Sequence, residues 1–127
     1  MTAESGTAAS GRDEGYGPLT AAMFHVLLAL AGEDLHGYAI LKEVELRTGG
    51  DVRLSTGTLY GIIKRLLADG LISERHSKAG DPSEDERRRY YRLTSRGREV
   101  ASAEARRMDE ILATARARNL LGKPRTA

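Results

Sequence analysis

Apolar residues recur along the chain at two rhythms. From Leu19 they step by three and four through Met23, Val26, Leu27 and Leu30, with Ala22, Phe24 and Leu28 widening the face. This predicts a first helix over 19–31, with Pro18 near its start and Gly32 closing it. A helix apolar on more than one side packs against more than one neighbour. A second helix is predicted to open at Leu35-His36-Gly37-Tyr38 and to end at Thr48-Gly49-Gly50. Its stripe reads Tyr38, Leu41 and Val44, with Ile40 beside it. Asp51-Val52-Arg53-Leu54 alternates and predicts a small strand or an extended link.

Ser55 is a good N-cap for a third helix, where Leu59, Ile62, Ile63, Leu66 and Leu67 give the strongest helical pattern in the chain. It stops at Asp69-Gly70. Its other face carries Thr56, Thr58, Tyr60, Gly61, Lys64 and Arg65. The rhythm then changes. Leu71-Ile72-Ser73-Glu74-Arg75 and Arg87 to Leu93 read as two strands around a polar, turn-rich stretch, a hairpin with a long mobile tip. Thr94 caps a last helix reaching about Leu121, with a stripe of Val100, Ala103 or Ala105, Met108, Ile111, Leu112 and Ala115. At 1.5 Å per residue it is roughly 40 Å long, more than a small domain covers with its own core. Its apolar face calls for a second chain.

The order is helix, helix, helix, hairpin, long helix. This predicts a mostly α fold with a small β hairpin: a winged helix-turn-helix over 18–93, a C-terminal dimerisation helix over 94–121, and tails at 1–17 and 122–127. The first tail has no large apolar residue except Tyr16 and reads as flexible.

Composition narrows the chemistry. The 127 residues are 40% apolar and 30% charged, enough for one domain with a modest core. With no Cys, disulfides, Cys-ligated metal and thiol catalysis are excluded. The longest apolar run, Ala21 to Ala31, includes His25 and is too short for a membrane span. The opening residues lack an apolar signal stretch, so the expected location is the cytoplasm, and the nucleoid when DNA is bound. The overall charge of +2 hides an asymmetry: residues 1–35 carry −4, residues 36–54 carry 0, residues 55–98 carry +4 and residues 99–127 carry +2. A basic middle suggests a local anionic partner, although a mixed solvated surface also accounts for it.

The N-terminus of the third helix presents free N–H groups and the positive end of a dipole, suited to phosphate or base edges. Ser55, Thr56 and Thr58 add short hydroxyls, Gly57 allows close approach, and Lys64 lies farther along the same side. Tyr60 is equally well read as a DNA contact or as a half-buried support for the helix. Strand alternation puts Arg88 with Tyr90 on one face and Arg87, Arg89 and Tyr91 on the other. One of these arginine sets can meet phosphates; a solvated strand edge is the alternative, and the DNA reading comes first because the basic strand follows a recognition-type helix. The acids Asp81, Glu84, Asp85 and Glu86 crowd the hairpin tip, which would repel phosphate and so predicts a tip turned away from the duplex or mobile. Enzyme readings are poor. His25, His36 and His76 lack metal-ligand spacing, no phosphate-binding glycine motif occurs, and no cofactor or metal is expected.

Three segments in this order resemble the PadR family of bacterial transcriptional regulators: HGYAI (His36 to Ile40), STGTLYGIIKRLLADGLI (Ser55 to Ile72) and RRRYYRLTSRGR (Arg87 to Arg98). The single helix after the wing is similar to the shorter branch of that family. The resemblance implies a homodimer that binds double-stranded DNA at an inverted-repeat operator and represses nearby genes until a small-molecule effector relieves it. Position by position, it implies DNA approach at Tyr38, Ser55, Thr58, Tyr60 and Lys64, with Arg88 and Arg89 on the wing strand. The acidic tip departs from the pattern. With no Trp and one Phe, an effector cavity would be lined by Met23, Phe24 and Met108, residues that are better read as plain dimer core. Two alternatives remain at this level: a winged-helix module that binds protein, and a metal-responsive regulator using the acidic tip.

Overall fold

The first helix, α1 (Ala21–Gly32), is capped by Thr20, whose hydroxyl accepts the Met23 N–H at 3.1 Å. The cap, rather than Pro18, sets the start. The structure is a computed structural model that describes residues 18–75 and 89–122. After α1 come β1 (Leu35–His36), α2 (Gly37–Arg47), α3 (Thr56–Ala68), β2 (Ile72–Arg75), β3 (Tyr90–Leu93) and α4 (Ser95–Ala117). The chain is mostly helical with a small antiparallel sheet, as the periodicity predicts.

The core is built where the helical stripes meet. Val26 and Leu27 of α1, Ile40 and Val44 of α2, Leu59, Ile63 and Leu66 of α3, and Leu71 are all essentially inaccessible. Each such side chain contributes about 1.5–3 kcal/mol through burial. α1 touches α2, α4 and β3, which explains why it is apolar on several sides.

The sheet has three strands in the order β1-β3-β2, not two. Leu35 and His36, expected to open the second helix, instead pair with Tyr91 and Tyr90 of β3. His36 is then the N-cap of α2: its Nδ1 accepts the Ala39 N–H at 3.2 Å, so the helix begins at Gly37. The stripe of α2 shifts accordingly. Ile40 and Val44 are buried, whereas Tyr38, in the first turn, is 64% exposed. Asp51–Leu54 is an extended link without strand pairing. β3 starts at Tyr90 rather than Arg87.

α4 also departs from expectation. Glu104 lies on its buried stripe between Val100 and Met108, its charge met by Arg107, whose Nε donates to Oε1 at 3.1 Å. The helix stops at Ala117, short of Leu121. Arg118 caps it, Asn119 takes φ 65°, and the Leu120 N–H turns back to the Ala115 carbonyl at 2.9 Å.

Candidate nucleic-acid interface

α3 starts cleanly because Ser55 is extended and its Oγ accepts the Thr58 N–H at 3.1 Å. The Ser55 hydroxyl donates to Thr58 Oγ1 at 2.9 Å. Ser55 is therefore committed to the cap, and the hydroxyl left to donate outward is that of Thr58. Thr56, Gly57, Thr58, Gly61, Lys64 and Arg65 are all exposed. Among the described residues, no atom beyond the helix itself lies within 4 Å of where a side chain would begin on Gly57 or Gly61. Arg65 is drawn back toward Asp69, Nε to Oδ2 3.3 Å. Lys64 makes no ion pair among the described residues.

Tyr60 is 45% exposed, and its hydroxyl fills the space beside Gly37. A Cβ on Gly37 would fall 2.1 Å from that oxygen. The ring thus links α3 to the first turn of α2, while one side stays open. Tyr38 stands farther out, with Lys42 Nζ 5.8 Å from its ring centre. Before α3, Arg53 reaches back to Glu45 at 3.7 Å.

At the sheet, Arg89 is held by the Glu74 carboxylate, and that hydrogen bond raises its pKa above the ordinary arginine value. Tyr91 points inward. Burial, then the nearby Glu74 charge, pushes its phenol above the ordinary tyrosine value. Tyr90 faces the other way and meets the His36 ring edge-on, centroids 5.5 Å apart. Arg88 and the acids Asp81, Glu84, Asp85 and Glu86 lie outside the described residues, as does His76.

Sequence reasoning missed the acids of the wing root. Asp34 pairs with Arg92 at 3.1 Å and Arg75 at 3.6 Å. Only the strand register brings these residues together, and the two-residue strand that sets it leaves no periodic trace.

Met23 and Phe24 are buried in the core of a single chain, and Met108 packs against the same cluster from α4. A separate open cleft of about 300 Å³ lies at the end of α1, lined by residues that include Glu33, Asp34, Arg92 and Arg98 but none of these three. Among the described residues, no group of three or more His, Asp or Glu could hold a metal ion, and no helix is long and apolar enough to cross a membrane.

The chain is similar to known regulators in both sequence and fold. It is 36% identical over 103 residues to the transcriptional regulator Rv3488 of Mycobacterium tuberculosis, across 80% of this chain and 84% of that one. A PadR family transcription regulator from Clostridium difficile R20291 superposes with TM-score 0.60 at 27% identity, covering 74% of this chain and 95% of its own. The fold is shared with Bacillus subtilis PadR in complex with operator DNA, TM-score 0.57 at 23% identity, over 69% of this chain and 48% of that one. The profile of the transcriptional regulator PadR-like family matches residues 26–103, from the middle of α1 into α4. A winged helix whose second and third helices, wing strands and first turns of the closing helix fall within that match leaves one assignment: the chain belongs to the PadR-like family of transcriptional regulators, not to a family of enzymes.

Proposed function

We propose that this regulator is a homodimer that binds an inverted-repeat operator and represses transcription until a small molecule releases it. The observation that carries the DNA reading is the outer face of α3. Among the described residues, Thr56, Thr58 and Lys64 are exposed, nothing beyond the helix crowds its two glycines, and the helix N-terminus behind them is already capped. In this reading Thr56, Thr58 and Lys64 meet the major groove. Ser55 orders the first turn, Tyr60 and Tyr38 flank it, and the approach to the backbone from the wing falls to Arg88, with Arg89 joining only if it leaves Glu74. Bacillus subtilis PadR, which shares this fold, is in complex with operator DNA, which supports a DNA reading.

The dimer rests on the outer half of α4, where Ile111 and Leu112 are exposed on the stripe that Val100 and Met108 continue into the core. Two-fold symmetry then requires two half-sites about 34 Å apart, or a multiple of that spacing. Met108 packs from α4 on the core that holds Met23 and Phe24, so a ligand that parts them would shift α4 and with it the spacing of the two reading helices. The working compartment is the cytoplasm, with the nucleoid as the bound location.

The test is selection of bound fragments from genomic DNA, followed by titration of a recovered fragment and of a random duplex at two salt concentrations. The expected result is a shared inverted repeat bound far more tightly than random sequence. Equal binding to every duplex, or none, overturns the reading. Retained binding to an acidic protein in that case would favour the protein-interaction alternative.

A further inference from the structure

Asp34 gathers arginines from two strands. Its Oδ2 lies 3.1 Å from Arg92 Nη2, 3.3 Å from Arg92 Nε and 3.6 Å from Arg75 Nη1. The geometry follows from register. Leu35 faces Tyr91, so one residue earlier Asp34 faces Arg92. Arg75 faces Tyr90, so both arginines and the carboxylate share the outer side of the sheet. On the inner side Arg89 is tied to Glu74. Every described arginine of the two wing strands is therefore held by an acid.

Arg75 is joined by strand pairing to the start of α2, while Asp34 and Arg92 line the cleft at the end of α1. Arg75 faces Tyr90 and Tyr90 faces His36. Gly37, the next residue, lies against the Tyr60 hydroxyl on the first half of α3. The arginine side chains are 39% and 54% exposed, so sterically they are free to swing outward; what holds them is the carboxylate.

We propose that Asp34 is a specificity-determining residue of the DNA-binding site: it withholds Arg75 and Arg92 from phosphate and so limits sequence-independent attraction to duplex. This rests on the DNA reading above. Non-specific binding is driven by release of counterions as free cations meet phosphates. An arginine paired within the protein contributes no such release. Affinity must then come from the outer face of α3, which can tell one sequence from another.

The experiment titrates a random-sequence duplex over a range of salt concentrations with the full wild-type chain, Asp34→Asn, Arg75→Gln and the double variant. For Asp34→Asn, the slope of log K against log salt should steepen by about 0.9 for each arginine released, up to about 1.8. Arg75→Gln alone should leave the wild-type slope unchanged, yet flatten it in the Asp34→Asn background. An unchanged slope in folded Asp34→Asn protein overturns the proposal, as does a flatter slope in Arg75→Gln alone. Should Asp34→Asn fail to fold, Asp34→Ser takes its place in the same series, alone and with Arg75→Gln, with the same outcomes. If the wild type binds no duplex at any salt, the DNA reading fails first, before any variant is compared.

Discussion

The carbonyl oxygen of Leu71 sits where a side chain on Gly97 would begin. A Cβ there would lie 1.9 Å from that oxygen. The oxygen cannot simply move aside, because it also accepts the Thr94 N–H at 3.1 Å. Around this contact the first turn of α4 is fastened to the turn after α3. Thr94 Oγ1 donates to the Gly70 carbonyl at 2.7 Å, and Arg96 Nε donates to the Asp69 carbonyl at 3.2 Å. The long helix that would carry the partner chain is thereby aligned with the helix that would read DNA.

Gly97→Ala should therefore be far more harmful than a glycine-to-alanine change inside a helix usually is. Helix propensity alone favours Ala by up to about 1 kcal/mol. Overpacking against fixed backbone costs about 1–3 kcal/mol and sometimes more, and it outweighs that gain here. The urea midpoint of Gly97→Ala should fall well below wild type. A raised or unchanged midpoint would mean that the α4 start shifts freely.

Thr94→Ala removes a different part of the same joint. The Thr94 hydroxyl accepts the Gly97 N–H at 3.0 Å while donating to Gly70. Loss of such a cap costs about 0.5–2 kcal/mol, and a carbonyl left without its donor adds to the loss. Thr94→Ser, which keeps the hydroxyl, should recover most of the stability in the same denaturant series. If serine and alanine prove equally destabilising, the methyl group rather than the hydrogen bonds holds the joint.

What the sequence made legible follows from how local each signal is. Leu59, Ile63 and Leu66 lie one turn apart, so periodicity alone exposes both the buried face of α3 and the outer face opposite it. The Ser55 and Thr94 caps are equally local, each acting on an N–H three residues ahead. The pairing of β1 is not local. Leu35 meets Tyr91 across the whole helix-turn-helix, and two residues are too few to show alternation. Asp34 and Arg92 inherit that invisibility. Tyr38 misled because helical spacing gives a direction and not a neighbour: the stripe through Leu41 and Val44 points inward, but at the first turn of α2 the ring stays mostly exposed. Gly97 looked like any helical glycine, since only the placement of the Leu71 backbone makes it irreplaceable.

Lys64 tests the electrostatic role of α3. It stands on the outward side of the helix with no ion pair among the described residues, unlike Arg65, which leans on Asp69. A free cation facing phosphate contributes about 0.9 to the salt slope, so Lys64→Ala should weaken binding to all duplexes and flatten the slope by about that amount. The preferred sequence should not change. A lost preference with an unchanged slope would instead make Lys64 a reader of bases.

Ile111 tests where two chains would meet. α4 runs 23 residues, about 35 Å, yet its last fully buried side chain is Glu104, and beyond it Met108 still packs on the core. Ile111 is 53% and Leu112 44% exposed on the same stripe. Among the described residues they are only half covered. A two-fold partner would cover the rest, and by symmetry it would bring its own Ile111 to the same interface. Ile111→Glu would then bury an unpaired carboxylate from each chain, at about 3–5 kcal/mol apiece, enough to dissociate a modest dimer. Light scattering should give the mass of one chain for Ile111→Glu and of two for wild type. Glu110→Gln, on the opposite side of the helix, should stay dimeric. Operator affinity should fall with the dimer, because a single half-site contact loses the linkage between the two reading helices. A persistent dimer in Ile111→Glu would move the interface off α4.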